Sequence, residues 1–207
     1  MLHYTLTHDT LAREIATFPY IVHNKIFNDE EIDKIVTYCE NKELIKGKIN
    51  PKEYKSFEQT TNETIRKCDL NFHEKNNETQ WIYDKLDSYI LFINNEYYGF
   101  DLNGYNQFQY TLYNSNENDH YSWHMDMQMG NTTSHQPRKL SLSMCLNDDF
   151  EGGKFQMNMG NQDYPIDIEL KKGDIIFFPS FMPHRVTPVT KGIRKSVVVW
   201  ITGPKFI

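Results

Sequence analysis

Cysteine is scarce in this chain, and basic runs are scarcer. Cys39, Cys68 and Cys145 stand alone among 207 residues, and no two of them make a CxxC. An odd, widely spaced set describes neither a disulfide framework nor a thiolate metal site, so reduced intracellular thiols are the expectation. No basic stretch is longer than Arg138-Lys139 or Lys171-Lys172, and the formal net charge is -6. A chain of that sign is poorly placed to track a phosphate backbone, and no nucleic-acid partner is expected. No apolar run approaches the roughly 20 residues that a membrane span requires. The opening stretch "MLHYTLTHDTLAREIA" lacks the basic-then-apolar order of a signal peptide. Internal repeats and low-complexity tracts are absent too. The expectation is a soluble, cytoplasmic protein, off the membrane, with a single domain over residues 1–207.

Hydrophobic residues make up 39% of the chain and aromatics 14%, enough for a packed core. "FPYIVHNKIF" (18–27) reads as a strand, and "NDEEIDKIVTYCENK" (28–42) as a helix. Asn28 can cap that helix, Glu31 sits at the capping-box position, and Ile32, Ile35, Val36 and Cys39 form its apolar stripe. Residues 44–64 read as a loop, 65–72 as a strand, 73–79 as a flexible polar segment and 80–97 as a helix. From Gly104 onward the texture changes. About eight short aromatic and β-branched runs alternate with turn signals such as Gly152-Gly153, Gly160-Asn161 and Gly173-Asp174. This predicts a mainly β protein with flanking helices. A double-stranded β-helix, a cupin-like jelly roll, occupies residues 104–207 and packs against a helical and strand support in residues 1–103.

One stretch is odd for ordinary β-structure. "HYSWHMDMQMG" (120–130) carries His124 and Asp126 at alternate positions. Side chains at i and i+2 of a strand share a face, so an imidazole and a carboxylate would point together toward a half-buried region. A buried carboxylate needs a compensating charge. Random placement gives roughly half an HxD per chain of this composition, so the pair alone is weak, and a surface His beside a surface Asp is the plain alternative. Context strengthens it. "GDIIFFPSFMPHRVTPVTKGIRKSVVVW" (173–200) places His184 after a proline-bounded turn, at the start of a strand. A jelly roll can bring that histidine beside the pair. Two histidines and one carboxylate on one face of a metal make the facial triad of non-haem Fe(II) oxygenases. Arg194, ten positions after His184, offers a fork for a carboxylate. The plain alternative is an outward-facing arginine.

Taken together, residues Tyr105 to Trp200 resemble the iron- and 2-oxoglutarate-dependent dioxygenases of the prolyl 4-hydroxylase-like, PKHD-type branch. "QYTLYNSNENDHYSWHMD", "RKLSLSMCLNDDFEGGKFQM" and "GDIIFFPSFMPHRVTPVTKGIRKSVVVW" carry the likeness. The resemblance implies His124, Asp126 and His184 as ligands of Fe(II), and Arg194 as the holder of the distal carboxylate of 2-oxoglutarate. It implies Tyr113 as an aromatic lining the cosubstrate pocket and Trp200 as a pocket aromatic on the last strand. Two departures stand out: the turn "NSNENDH" lacks the family's usual glycine, and Cys145 stands where some relatives place a cosubstrate-holding Tyr or Thr. The resemblance further implies hydroxylation of a substrate C–H bond with O2, succinate and CO2 as co-products, and ascorbate as a reductant.

Two rivals share parts of this pattern. A cupin-like metal-binding protein would keep the metal but give Arg194 no task. A nucleic-acid demethylase of the same superfamily would want a basic surface. The family default for the substrate is a peptidyl proline, with a free amino acid or small molecule chemically open. Substrate specificity falls to loops, namely Leu44 to Thr64, His73 to Thr79 and Gln128 to Arg138, of which the first and last are expected to act as lids over an extended peptide. His120 and His135 flank the metal strand within reach of substrate, although a solvated loop histidine is the simpler reading. The acidic run Asp148, Asp149 and Glu151 reads as a solvated turn, and Trp123 as core or site rim.

Overall fold

A computed structural model describes residues 18–48, 62–127, 136–160 and 163–205. The first helix, Asp29–Glu40, begins where its sequence signature places it. Asn28 Oδ1 accepts from the Glu31 backbone N–H at 2.9 Å, and Glu31 Oε2 accepts from the Asn28 N–H at 2.8 Å. Two of the four donors that a helix start leaves unpaired are thus satisfied reciprocally. Glu31 does further work: both its carboxylate oxygens take Lys85 Nζ, at 2.7 and 2.6 Å, which ties this helix to the second one. That second helix, Gln80–Ile93, is shorter than the predicted 80–97. Its last residues, Asn94–Tyr98, widen into a π-helical turn that ends at Gly99 in the left-handed region. The buried Asn94 amide grips both the N–H and the C=O of Phe100, fixing the exit of the chain.

The predicted strand 18–27 contracts to Ile21–His23, because Lys25 takes a φ of 52° and turns the chain toward the helix. The predicted strand 65–72 is two strands, Arg66–Lys67 and Asp69–Glu74, which join different sheets with Cys68 between them. His73 and Glu74 therefore belong to a strand rather than to a flexible segment. Ile45–Lys46, predicted as loop, is a short edge strand. Beyond Gly104 the eight predicted runs become ten strands among the described residues. "GGKFQMNM" and "HRVTPV" are each broken into two.

All strand pairs are antiparallel, and they form two facing layers. The larger sheet has seven strands in the order Ile21–His23, Ile175–Pro179, Arg138–Cys145, Ile193–Thr202, Gln107–Asn114, Asp69–Glu74 and Ile45–Lys46. The smaller has five, in the order Ile166–Ile168, Phe155–Met157, His184–Val186, His120–His124 and Arg66–Lys67. Glu151–Gly152 and Val189–Lys191 make a separate hairpin-like pair. This is the jelly roll with helices on one side that the sequence pattern predicts.

Two hydrophobic cores follow from the period-2 alternation of the shared strands. On the outer face of the large sheet, Phe108, Tyr110, Leu140, Leu142, Met144, Val197 and Val199 meet Ile32, Ile35, Leu86 and Ile90 of the helices. On its inner face, Leu70, Tyr113, Ile176 and Phe178 meet Phe155, Met157 and Val186 of the small sheet. Many inward positions of the large sheet are polar instead: Gln109, Thr111, Ser141, Ser143, Arg194 and Ser196 are all buried. The helix-backed core thus supplies the apolar burial, while the space between the sheets is left for chemistry.

The capping box gives a direct stability test. Asn28→Ala should cost about 1 kcal/mol and Asn28→Ser markedly less, read as a shift in urea midpoint at constant slope.

Candidate active site

Three side chains converge at one end of the inter-sheet space. His124 closes the strand His120–His124, and His184 opens its neighbour, where the two are direct cross-strand partners. Asp126 arrives differently from the expectation. The strand stops at His124, and Asp126 lies in a bend beyond it, so strand alternation does not place this carboxylate. The backbone is pinned instead: Met127 N–H donates to the Ser180 carbonyl at 2.8 Å, and Arg138 Nη1 reaches the Asp126 carbonyl at 3.4 Å. Met125, between the two, points outward and is exposed. The outcome is nonetheless the juxtaposition that the HxD spacing suggests. Asp126 Oδ1 lies 3.7 Å from His124 Nε2, and Oδ2 lies 3.6 Å from His184 Nε2.

Each imidazole is oriented by its other nitrogen. His124 Nδ1 is 2.8 Å from the Ser122 carbonyl, and His184 Nδ1 is 2.9 Å from the Met182 carbonyl. A carbonyl only accepts, so Nδ1 carries the proton in both rings and Nε2 presents a lone pair. Burial first, and then the neighbouring His184, push His124 down to about 3, which keeps that ring neutral. Burial opposes charge on Asp126, but the two imidazoles, Arg138 and a hydrogen bond from Ser141 outweigh it and hold the carboxyl below its ordinary range. The two Nε2 atoms and a carboxylate thus face one another. They all lie within 4.8 Å of one another, and a divalent cation is what such a donor set fits.

Packing locks the rings. Tyr121 stacks on His124 with centroids 3.5 Å apart, and the Arg66 guanidinium lies 4.7 Å over Tyr121. Arg66 is held in turn by Gln109 Oε1, the Lys48 carbonyl and Cys68 Sγ. Phe155 and Phe178 wall His184. Sequence reading did not find Arg66, Gln109 or Phe155, since their spacing carries no signal and only the strand crossing at Cys68 brings Arg66 over the site.

The other expected residues divide into two places. Trp200 lines the large cleft above the triad, about 1040 Å³, with Trp123, Tyr121, Arg66 and Arg138. The Arg138 guanidinium lies over the ring of Trp200, 4.1 Å from its centroid. Arg194 and Cys145 line a separate cavity of about 290 Å³, together with Phe155, Ile168 and Gly153. Arg194 is 2% exposed, and no carboxylate among the described residues pairs with it. Its guanidinium lies 5.7 Å over the ring of Tyr113, its partner across the strands. Burial pushes the Tyr113 phenol above its ordinary value, so it stays a neutral hydroxyl. Gly153 admits this arrangement: a Cβ there would come within 3.0 Å of Arg194 Cδ, at a φ of +54°. The missing turn glycine also finds its replacement, since Asn118 takes the left-handed conformation, with a φ of 54°. Cys145 gives its thiol to the Asn147 carbonyl at 3.3 Å. His120 hydrogen-bonds the Asn118 carbonyl and lies away from the cleft lining, while Asp148 and Asp149 cap the turn of the Lys172 and Asn147 region. His135 and the greater part of both expected lids, 49–61 and 128–135, lie outside the described residues.

Comparison with known proteins agrees with this geometry. Residues 108–202 match the family model of the 2OG-Fe(II) oxygenase superfamily. A PKHD-type hydroxylase of Synechococcus sp. (strain CC9902) is 38% identical over 87 residues, 40% of this chain and 36% of that protein. A PKHD-type hydroxylase of Colwellia psychrerythraea is 34% identical over 83 residues, 39% and 36% of the two chains. The alignments thus span little more than a third of these curated relatives. Among solved structures, a Pseudomonas putida prolyl-4-hydroxylase shares the fold with a TM-score of 0.69 at 20% identity, covering 93% of this chain and 96% of that one. A Trichoplax adhaerens prolyl hydroxylase, in complex with a hypoxia inducible factor peptide fragment, does so with a TM-score of 0.70 at 15% identity, covering 88% and 83%. Residues 108–202 are thus similar to the 2OG-Fe(II) oxygenases. The curated proteins that this stretch resembles in sequence are PKHD-type hydroxylases.

Alanine at His124, Asp126 or His184 should each weaken Fe(II) binding by more than the roughly 10–100-fold that loss of a supporting group costs a metal site. Anaerobic titration calorimetry should read one Fe(II) per chain for the wild type and no saturable site for the variants.

Proposed function

We propose that this protein is an Fe(II)- and 2-oxoglutarate-dependent hydroxylase acting on a peptide or protein, with a prolyl residue as the default target and succinate and CO2 as co-products. The observation that carries this reading is the convergence of two Nε2 lone pairs on the buried Asp126 carboxylate. Iron bound there would supply the oxygen-activating redox chemistry that no side chain provides. Every other task falls to the chain. The Ser122 and Met182 carbonyls fix the ring orientations, so the ligand geometry is set before any metal arrives. Arg194, buried and free of a carboxylate partner among the described residues, is the group to receive the far carboxylate of 2-oxoglutarate. Tyr113 stands beside it as a neutral hydroxyl, and Cys145 shares its cavity, leaving room where a bulkier side chain would stand. The phenyl walls of Phe155 and Phe178 keep the metal end dry.

Support for a peptide substrate comes from the shape of the cleft. A volume of about 1040 Å³, lined by Ile45, Phe72, Trp123, Met125 and Trp200, exceeds what a free amino acid fills. The relative solved with a peptide shares this fold. Residues 104–207 would form the catalytic core and 1–103 its support, as one domain. The three reduced, buried cysteines suit a cytoplasmic location, and ascorbate would serve as reductant.

Purified protein with Fe(II), ascorbate and 2-oxoglutarate should form succinate, faster when a proline-containing peptide is a substrate. Arg194→Ala should raise the 2-oxoglutarate requirement by an amount equivalent to about 2–5 kcal/mol while Fe(II) binding holds, and Arg194→Lys should fall between. Unchanged 2-oxoglutarate dependence in Arg194→Ala would move the carboxylate contact elsewhere.

A further inference from the structure

The cleft above the triad has a charge imbalance that the hydroxylase reading leaves unused. Four cations line it, Lys46, Lys48, Arg66 and Arg138, and among the described lining residues the only carboxylate is Asp126. This occurs in a chain of net charge -6. Two of the cations are engaged. Lys46 pairs with Asp69 at 2.9 Å, and Arg66 is held by three hydrogen bonds and the Tyr121 ring. Lys48 is exposed at the rim. Arg138 is different. It is clamped against Trp200, and its hydrogen bond to protein is a long one, 3.4 Å to the Asp126 carbonyl. A guanidinium carries five donors, and a contact of that length satisfies little of one. Beside it, Trp200 Nε1 is buried with no acceptor among the described residues. Adjacent N–H groups of two residues therefore stand at the wall of the cleft, short of acceptors.

Arg138 lies against Asp126 through its 3.4 Å contact to the backbone carbonyl. A divalent ion held by the triad would answer the Asp126 charge and leave that of the arginine free for a ligand. Resting on the hydroxylase reading of this site, we propose that the cleft selects substrates bearing a carboxylate near the carbon to be oxidised, and that Arg138, backed by Trp200, binds that carboxylate. A planar fork held against an indole can match a carboxylate bidentately and loses little freedom in doing so. The rim argues against a polyanion such as nucleic acid. Glu117 lies on Lys46 and Lys67, and Asp69 on Lys46, so no basic path leads out of the cleft among the described residues. The carboxylate can belong to an acidic residue of a peptide or to a free acid.

The test uses two probe pairs against the intact protein saturated with Zn(II), a redox-inert ion, and 2-oxoglutarate, so that the cosubstrate site is already filled. The first pair is acetyl-Asp-Pro-Asp-amide and its neutral twin acetyl-Asn-Pro-Asn-amide. The second is acetyl-proline and acetyl-proline amide. Titration calorimetry should show at least one acid binding about tenfold or more tightly than its twin. Preference in the first pair assigns a peptide side chain, and in the second a free carboxylate. Arg138→Gln should erase the preference, and Arg138→Lys should keep part of it. Trp200→Phe, which keeps a ring but removes the indole N–H, should weaken the acid several-fold and leave the twin unchanged; it holds the proposal to account should Arg138→Gln fail to fold. The proposal is overturned if acids and twins bind alike, if neither acid binds, if the preference survives Arg138→Gln, or if an oligo-dT strand binds more tightly than both acids. Failure of the hydroxylase reading shows separately, as no succinate from Fe(II) and 2-oxoglutarate, and leaves these titrations standing.

Discussion

The buried carboxylate of Asp126, facing two imidazole lone pairs, is the constraint around which this molecule is arranged. An ionised group in that position costs several kcal/mol unless a positive charge answers it. The described residues answer it in part, through Arg138 and Ser141. The rest of the answer has to come from an ion. Almost every unusual local feature serves that geometry: the strand that stops at His124, the bend tied to Ser180, the direct pairing of His184 with His124, and the three-layer stack of Arg66, Tyr121 and His124.

The large sheet makes such a polar interior tolerable. Strand Ile193–Thr202 shows how: Val197, Val199 and Ile201 pack against the helix side, whereas Arg194, Ser196 and Trp200 face the small sheet. One alternation thus pays for the other. Stability is concentrated on the helix-backed face, where Leu86, Ile90, Leu140 and Leu142 are buried. The inner face keeps Gln109, Thr111, Ser143 and Arg194 at the expense of apolar burial. The helices are therefore part of the functional argument, since they pack behind the sheet that presents Arg194 and Trp200.

Residue patterns reached a good part of this. Asn28 and Glu31 announce the first helix because a capping box is a local device, complete within four residues. His124, Asp126 and His184 were legible as chemistry, because their residue types are costly to bury for any other purpose. The route by which Asp126 reaches the site was not legible. A strand reading of "WHMDM" predicts the shared face for the wrong reason, and only the contact of Met127 with Ser180, distant in sequence, shows the bend. Arg66 and Arg138 were missed for a related reason. An arginine at a strand start reads as solvated, and what gives these two their roles is a ring from another strand, Tyr121 in one case and Trp200 in the other. Net charge describes the surface as a whole and is silent on the four cations that folding gathers into one cleft.

The central claim is that one metal ion completes the triad and that 2-oxoglutarate then spans from it to Arg194. A crystal structure of the protein grown anaerobically with Mn(II) and 2-oxoglutarate tests this most directly. The account predicts a single anomalous peak per chain, bounded by His124 Nε2, His184 Nε2 and an Asp126 oxygen, with the far carboxylate of 2-oxoglutarate on the Arg194 guanidinium. Metal bound elsewhere with the triad empty, or 2-oxoglutarate anchored on Arg66 or Arg138 with Arg194 unengaged, would contradict it.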